Sequence, residues 1–550
     1  MAIGSTHRDC GPEIARWAAF AQTLADENAV FRAERDRLLL RVEELEAALD
    51  AAKAELVRLT LVLRHESERS PRPEPAPEPE AACGDQHPSA APERRRRGQQ
   101  PGAPGHGRRR YDHLETTEEV LVPSPEALVC PTCGRPYQAM AGKEDSSEEL
   151  SWKVSITRVI HRRPRYTRTC ACPGTRAIVT APPPPKVIPK GRMSAGMLAR
   201  LLVAKYVVGT PCSRLAMSLG LEGADLAPGT LAGVLLALAP LLAPLAAAIR
   251  ARNAASELLH VDETSWPVFV EVVGKANHRW WLWVFVGPDT VAYVVKSSRG
   301  TIVVAEHLGI DLAAASPRLP GGRPIVVCSD FFTSYQSLGN HVAGVTNSWC
   351  WAHIRRHFVE AGKVHPAACG TWADAWVARI GAVFSSHRRL AMAAAASPEE
   401  SLARAELTRA LAEIDAAREA EAADASLPRA AAKVLATLGR EWEGLVVPIT
   451  SGSDLDNNAA ERALRSPVVG RKNYYGSGAT WSAALAADAW SITATTAMAG
   501  WNPLAHLEAC LCACAANGGR PPQGATLEAF LPWGASPGDA RVWSAAGRGP

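Results

Sequence analysis

Three acidic residues occur in contexts that suit metal-dependent chemistry. Asp262 follows the apolar run LLHV, Asp330 follows the apolar run PIVVCS, and Glu461 lies at the start of a predicted helix in SDLDNNAAERALR. Two Asp on strands and a Glu on a helix can converge on two hard cations, for which carboxylate oxygens are suitable ligands. Two such ions about 4 Å apart would activate a water or a 3′-hydroxyl and stabilise the leaving oxygen in phosphoryl transfer. The pattern therefore predicts a catalytic Mg²⁺ or Mn²⁺ site at these three residues.

Glu461 also has a second interpretation, as part of a helix cap. Asn458 at the N-cap position, with Glu461 three residues later, fits a capping box. One Glu side chain cannot fully serve both purposes at once. If Glu461 binds metal, it must turn toward Asp262 and Asp330 rather than toward its own backbone. The sequence leaves both interpretations open.

Three other carboxylates compete for the catalytic assignment. Asp454 and Asp456 precede the helix and are most simply turn residues. Glu263 follows Asp262 directly, and in a continuing strand its side chain would point to the opposite face of the sheet. Spacing alone therefore does not force the choice of acids.

Basic side chains near these acids, and in an arginine-rich linker, are candidates for binding DNA. Such residues can neutralise phosphates or enter a minor groove. The linker is first acidic and Pro-rich and then basic, which predicts disorder, and a merely solvated basic linker is an equal alternative there. The predicted DNA-binding residues are Arg94, Arg95, Arg96, Arg97, Arg108, Arg109, Arg110, Arg355, Arg356, Arg462, Arg465, Arg471 and Lys472.

Four cysteines fall in two close pairs that suit a structural zinc ion. Cys130 and Cys133 form CPTCG, and Cys170 and Cys172 form CAC further along the chain. Two thiolate pairs are typical of a tetrahedral zinc site, although CxC is one residue shorter than the usual CxxC. Free buried thiols are the alternative. The segment between the pairs alternates as β-strands do.

The three acids need a sheet and helices to position them. Apolar runs lead into Asp262 and Asp330, two further strands meet at GPD, and another strand enters the basic helix of CWAHIRRHF. This succession predicts a mixed α/β sheet with the acids beside each other. Residues 351–445 have helical periodicity and predict a helical insertion. Residues 194–250 predict helices that resemble a helix-turn-helix, with an ordinary packed helical hairpin as the alternative.

Composition limits the class of protein further. The chain has 550 residues, 47% of them hydrophobic, and a net charge of +4, so nucleic-acid binding must come from local patches. No signal peptide is visible, which predicts a reducing cytoplasm. The apolar run 231–249 is nearly long enough to cross a membrane, but Pro240 and Pro244 favour a buried helix, kinked or divided there. Heptad spacing over 24–66 predicts a coiled coil.

Four segments, HVDETSWPV, VVCSDFFTSY, CWAHIRRHF and LDNNAAERALRSPVVGRKNYYGSG, resemble the transposases of the insertion-sequence-66 family. The similarity covers roughly residues 95–515, in order. It implies a DDE transposase with an RNase H-like catalytic core and with Asp262, Asp330 and Glu461 as its triad. It also implies DNA as the partner, accessory proteins from the same element, and a nucleoid-associated location in the bacterial cytoplasm. We expect a homo-oligomer through the coiled coil and no membrane association.

The expected architecture is multidomain α/β, and two other functions stay open. These are a catalytically inactive DNA-binding protein derived from a transposase, and an RNase H-like nuclease that does not join strands. The expected domains are a coiled coil (1–70), a disordered linker (71–115), a zinc-binding β module (116–190), a helix-turn-helix-like domain (191–254), the catalytic core in two parts (255–350 and 446–500), a helical insertion (351–445), and a C-terminal helical element (501–550).

Overall fold

The structure is a computed structural model of this chain, and its described part begins near the first cysteine pair. The residues that it describes are 116, 120, 122–138, 147, 155–169, 176–271, 278–451 and 453–544. Three sequence predictions lie outside these residues. They are the coiled coil over 24–66, the linker with its seven predicted DNA-binding arginines, and the second cysteine pair, Cys170 and Cys172.

A short hairpin is the first β-structure of the described chain. β1 (Arg165–Thr167) pairs in antiparallel fashion with β2 (Ile178–Thr180), and all six strand residues are exposed. Strands were predicted in this part of the chain from the alternation of apolar and polar residues. The hairpin is much shorter than the alternating segment itself.

The centre of the fold is a mixed sheet of five strands. Their bounds are β3 Leu258–Ser265, β4 Trp281–Val286, β5 Val291–Lys296, β6 Ile325–Ser329 and β7 Val345–Trp349. The order across the sheet is β5-β4-β3-β6-β7, with β4 antiparallel to both of its neighbours and β6 parallel to both of its own. The mixed sheet predicted from the sequence is confirmed, and the predicted GPD turn joins β4 to β5.

Helices cover both faces of the sheet and account for most of the remaining described chain. A π-helical turn, Val203–Val207, extends the first of them. The helix bounds are α1 Ala195–Leu202, α2 Cys212–Leu221, α3 Pro228–Ala254, α4 Ile302–Leu308, α5 Thr333–His341, α6 Trp351–Val364, α7 Pro366–Met392, α8 Pro398–Ala422, α9 Arg429–Arg440, α10 Trp442–Ser451, α11 Asn458–Tyr474, α12 Thr480–Met498, α13 Pro503–Ala516, α14 Ala525–Glu528 and α15 Pro537–Trp543.

The apolar run that resembled a membrane span forms α3. The helix is continuous with Pro240 and Pro244 inside it, so of the two predicted forms, kinked or divided at these prolines, the divided one is wrong. Each proline removes a backbone hydrogen bond, but buried leucines along the helix, including Leu238 and Leu242, compensate by packing in the core. Within the described ranges, α3 is the one helix long and apolar enough to cross a membrane. Here it packs against α12 and β5.

Two hydrophobic clusters lie on opposite faces of the sheet. β4 reads WLWVFV, without a polar residue, because both of its faces are covered. Leu282 and Val284 belong to the cluster that includes residues of α3 and α12. Trp283 and Phe285 belong to the cluster built with α6 to α10. The side chains of β4 thus alternate between the two clusters, as the pleat of a strand requires.

Candidate active site

Two of the predicted acids lie on adjacent parallel strands of the sheet. Asp262 is on β3, and Asp330 directly follows β6. The last paired position of these two strands joins His260 to Cys328. Extending the parallel register by two residues aligns Asp262 with Asp330. Both side chains are half-buried, so the two carboxylates share one partly enclosed position in the fold.

The segment before α11 crosses the carboxyl ends of the parallel strands and is hydrogen-bonded to them. The amide of Trp351 donates to the carbonyl of Leu455 over 2.9 Å. Asn457 is 1% exposed, and its Nδ2 donates to the carbonyl of Val261 over 2.8 Å. Its backbone amide donates to the Sγ of Cys350 over 3.2 Å. These bonds fix the first turn of α11 beside the residue that precedes Asp262.

The predicted capping box at this helix is wrong. The N-cap residue is Asn457, not Asn458, and no side chain caps the helix. The side chain of Asp456 stabilises the turn before the helix, because its Oδ1 accepts a hydrogen bond from the amide of Asn458 over 3.0 Å. The carboxylate of Glu461 instead lies with its Oε1 3.8 Å from the Nε2 of His353 on α6. Glu461 is therefore free of the backbone role that competed with metal binding.

Asp262 lies in a strongly unfavourable environment for a carboxylate charge. Its pKa is raised to about 7, mainly by burial and then by the neighbouring charges of Glu263, Asp330 and Glu461, against a lowering hydrogen bond from the amide of Glu263. That amide donates to Asp262 Oδ1 over 2.8 Å. The electrostatic fields of the other two predicted acids therefore act on Asp262, where a bound cation would be stabilised.

Glu263, a rival acid in the sequence, is committed to other partners. Its Oε1 accepts from the Nε of Arg299 over 2.7 Å, and its Oε2 accepts from the hydroxyl of Tyr335. Arg299 is itself held over the ring of Phe332 at 3.9 Å. Burial raises the pKa of Glu263, and these hydrogen bonds oppose the shift. Both carboxylate oxygens are thus occupied within the protein, and Glu263 serves structure at this position.

The described candidates for DNA binding fall into two groups. Arg471 is half-buried, and its Nη1 donates to the Oγ1 of Thr264 over 3.0 Å and to the carbonyl of Ser265, so it joins α11 to the end of β3. The other described candidates are exposed on α6 and α11, and they are Arg355, Arg356, Arg462, Arg465 and Lys472. Arg462 is the immediate neighbour of Glu461.

The donor chemistry of the three acids fits a hard divalent cation, but they are not assembled into a finished site. No group of three or more Cys, His, Asp or Glu side chains in the described chain is close enough to hold a metal ion. Asp330 Oδ1 accepts from the amide of Phe332 over 3.0 Å, and Glu461 faces His353. Cation binding at these oxygens therefore requires a rearrangement of side chains.

The first cysteine pair forms half of the predicted zinc site. Cys130 and Cys133 lie at the two ends of a tight turn. The amide of Gly134, which has a φ of +69°, donates a hydrogen bond to the carbonyl of Cys130 over 2.9 Å. Hydrogen bonds from the backbone of Cys133 and of Thr132 lower the pKa of the Cys130 thiol. A lowered thiol pKa favours the thiolate that binds zinc. Zinc at this turn stays a prediction.

Sequence reasoning missed the residues that tie the site together. Asn457 and Cys350 are both buried, and a hydrogen bond joins them although they are 107 residues apart in the sequence. No local sequence pattern at either residue predicts this bond. From the sequence, Cys350, His353 and His357 have a helical spacing that could bind zinc, and packing of this segment is the favoured interpretation. The contact of Cys350 with Asn457 has no sequence signal except that the two residues lie in CWAHIRRHF and LDNNAAERALR, on which the family resemblance rests.

The fold and the acids now define a class of protein. An α/β chain with this mixed sheet and its many helices is compatible with a DDE transposase or RNase H-like core. The sequence profile described as "Transposase IS66 family" matches residues 190–485, which is more than half of the chain. This chain belongs to the IS66 family of transposases.

Relatives in Sinorhizobium fredii (strain NBRC 101917 / NGR234) span most of the same length. Uncharacterized protein y4qI is 27% identical over 447 residues, which cover 77% of this chain and 76% of the relative. Uncharacterized protein y4hP is 26% identical over 416 residues, or 71% of each protein. No solved structure matches this chain significantly. The similarity therefore extends over about three quarters of each protein rather than over one short segment.

Proposed function

We propose that this chain is a DDE transposase that cuts the ends of its insertion sequence and joins the 3′-hydroxyl to target DNA. Asp262, Asp330 and Glu461 are the proposed catalytic residues. The observation that carries the proposal is the register of β3 and β6, which aligns the first two acids. The third acid belongs to a helix whose first turn is hydrogen-bonded, through Asn457, to the backbone next to Asp262.

The three carboxylates would hold Mg²⁺ or Mn²⁺. When bound, such cations supply the positive charge that polarises a phosphate and lowers the pKa of an attacking hydroxyl. The pKa of Asp262, raised to about 7, supports this role because it reflects burial and neighbouring acids without a compensating charge. Glu263 does not take part, since Arg299 and Tyr335 occupy its oxygens.

The exposed cations of α6 and α11 would bind the DNA backbone near the acids. Arg462 and Arg465 are one and four residues beyond Glu461 on the same helix, and Arg355 and Arg356 follow His353 on α6. Guanidinium groups bind phosphates through charge-assisted hydrogen bonds and hold the strand in register. Arg471 would act indirectly, by holding α11 to β3.

The same proposal covers the parts of the chain outside the described residues. The arginines of the linker would extend the contact with DNA, and the heptads over 24–66 would join copies of this chain. Cys130 and Cys133, together with Cys170 and Cys172, would hold a structural zinc ion. Accessory proteins of the same element remain part of the proposal through family membership.

The test is a cleavage and joining assay on a mini-element that carries the DNA flanking this gene. The full-length protein, with Mg²⁺ or Mn²⁺, is compared with Asp262→Asn, Asp330→Asn and Glu461→Gln. Each substitution keeps shape but removes a cation ligand, so cleavage should fall by at least about a thousandfold, as for loss of an essential catalytic group. Asp454→Asn is the matched control, because Asp454 is an exposed acid of the same region.

The products distinguish the proposal from its two alternatives. Cleaved ends together with joined products support transposition. Cleavage without joining by the parent protein would favour an RNase H-like nuclease, and specific DNA binding without cleavage would favour an inactive DNA-binding protein. Parent-level cleavage in any one of the three variants would remove that residue from the proposed triad.

A further inference from the structure

The positive charge of this chain is concentrated in one stretch. Between Glu149 and Glu222 there are 72 residues with no Asp or Glu and with 13 Lys or Arg. Because the whole chain has a net charge of +4, the rest of it carries −9. An excess of this size within a short stretch is the electrostatic signature of a surface for a polyanion.

The β1–β2 hairpin, which lies in this stretch, has two chemically different faces. Arg165 lies opposite Thr180, and Thr167 lies opposite Ile178. Directly paired residues point to the same side of a hairpin, so these four residues form one face, which we call the arginine face. The opposite face carries Tyr166 paired with Val179.

Two further arginines extend the arginine face at its opposite ends. Arg163 precedes β1 by two residues, and Arg176 precedes β2 by two residues, so the antiparallel pairing separates them along the hairpin. At roughly 3.3 Å per residue, the hairpin and its flanks span about 20 Å. Every residue in this span that the structure describes is exposed.

The guanidinium groups of this face retain donors for a ligand. In the described part of the chain, neither Arg165 nor Arg176 makes a side-chain hydrogen bond or an ion pair. Arg163 uses one donor, Nη1, on the carbonyl of Ala181 over 3.0 Å, which leaves the other donors of its guanidinium group for a ligand. No acidic residue of the stretch competes for these groups. An anionic partner of Arg163, Arg165 and Arg176 would therefore have no ion pair with another described residue to break.

We propose that the arginine face binds duplex DNA, as a contact surface made of residues other than the proposed catalytic ones. The major groove of B-DNA admits a two-stranded β-ribbon. Arg163 and Arg176 would bind phosphates at the two ends of the ribbon, while Arg165 and Thr167 lie between them, where side chains reach base edges. This surface goes beyond the catalytic proposal and does not depend on the three acids.

The test measures binding of full-length protein to a mixed-sequence duplex of about 40 base pairs over a range of salt concentrations, in EDTA. The triple variant Arg163→Ala, Arg165→Ala, Arg176→Ala should bind at least about tenfold more weakly at low salt. Each lost phosphate contact lowers the salt slope by about 0.9, so loss of the two proposed contacts, those of Arg163 and Arg176, should lower the slope by about 2. The corresponding triple Lys variant keeps the charges and should keep most of the slope.

The matched control removes three exposed arginines elsewhere, Arg318→Ala, Arg388→Ala and Arg409→Ala, and should change binding much less. Thermal melting and far-ultraviolet circular dichroism establish that both triple variants remain folded. Equal affinity and slope in the two triple Ala variants would overturn the proposal. So would unchanged duplex binding together with lost binding to phosphatidylserine vesicles, which would assign the face to a membrane surface.

Failure of this inference is distinguishable from failure of the catalytic proposal. Binding in EDTA involves no cleavage, and Asp262→Asn should bind the duplex as the parent does. If the parent never cuts DNA but the arginine variant loses binding, the arginine face stands and the catalytic proposal fails. If Asp262→Asn loses cleavage while the arginine variant binds normally, the catalytic proposal stands and the arginine face fails.

Discussion

Two neighbouring carboxylates, Asp262 and Glu263, illustrate how one strand gives the same chemical group two roles. Strand alternation sends the two side chains to opposite faces of β3. Glu263 meets a guanidinium and a hydroxyl and becomes part of the supporting structure. Asp262 is buried beside the charges of three acids, Glu263 itself, Asp330 and Glu461, and no cationic side chain is among the groups that shift its pKa. The residue left without a countercharge is the one suited to bind a cation.

The raised pKa of Asp262 predicts a stability effect in the metal-free protein. Its pKa rises from the ordinary 3.8 to about 7 on folding, so the folded protein binds the proton more tightly. This contribution to the free energy of unfolding is fully present below about pH 4 and is lost as the pH rises through about 7. Asp262→Asn should therefore be more stable than the parent at pH 8, by about 1 to 2 kcal/mol.

Urea denaturation at pH 5 and pH 8, in EDTA, measures this effect. The gain from Asp262→Asn should be larger at pH 8 than at pH 5. Asp454→Asn is the control, because its exposed carboxylate should show neither the gain nor its pH dependence. A variant that is less stable than the parent at pH 8 would contradict the electrostatic description of the site.

At the scale of elements, the site depends on how α11 is held. The helix lacks a side-chain cap of its own, and its start is instead fixed by bonds to β3 and to the beginning of α6. The backbone amide of Asn457 donates a hydrogen bond to the Sγ of Cys350, and its side-chain amide donates one to the carbonyl of Val261. Glu461 therefore takes its position from contacts with distant parts of the chain rather than from its own helix.

We predict that Asn457→Ala impairs both stability and cleavage. The substitution leaves the buried carbonyl of Val261 without its donor, which costs about 1 to 3 kcal/mol. It also loosens α11, and a small misplacement of a catalytic group can cost up to about a hundredfold in rate. Asn458→Ala is the control, since the side chain of Asn458 bonds only the nearby Asp456. Equal effects of the two substitutions on cleavage would argue against a positioning role for Asn457.

The packing of α10 on the end of β7 gives a second prediction at this scale. A Cβ on Gly444 would collide with the indole of Trp349, whereas a Cβ on Gly381 in α7 would meet nothing within 4 Å. Gly444→Ala should therefore destabilise the protein by about 1 to 3 kcal/mol through overpacking. Gly381→Ala should stabilise it by about 0.5 to 1 kcal/mol, because alanine favours a helix. Thermal melting of the two variants would reveal shifts of opposite sign.

The sequence predicted the elements better than it predicted how they meet. Apolar runs indicated the strands next to Asp262 and Asp330, because strand propensity and burial are local properties. Whether α3 would be kinked or divided at Pro240 and Pro244 could not be decided from the sequence, since the packing that offsets two prolines comes from distant segments. The cap assigned to Asn458 was wrong for the same reason. The N-cap residue is the preceding Asn457, whose side chain is hydrogen-bonded to the sheet.

At the scale of the whole molecule, a small net charge conceals a strong separation of charge. The acid-free stretch before Glu222 is strongly basic, while the rest of the chain is acidic overall. The exposed arginines of α6 and α11 and the arginine face of the hairpin are the described surfaces that could receive a polyanion. Membership of the IS66 family implies DNA as that polyanion. We thus propose DNA binding at two places in one chain, beside the acids on α6 and α11 and on the arginine face of the hairpin.

The central claim is that Asp262, Asp330 and Glu461 together bind the cations that support DNA cleavage. Metal-dependent rescue of cysteine variants tests it most directly, because a thiolate ligates Mn²⁺ better than the harder Mg²⁺. The rate of end cleavage is measured in each metal for Asp262→Cys, Asp330→Cys and Glu461→Cys, with Asp454→Cys as the control.

We expect the three variants to be inactive with Mg²⁺ and at least about tenfold faster with Mn²⁺, beyond any stimulation of the parent. Asp454→Cys should cleave like the parent in both metals. Parent-level cleavage with Mg²⁺ in any of the three variants, or rescue by Mn²⁺ no greater than that of the parent, would contradict the claim.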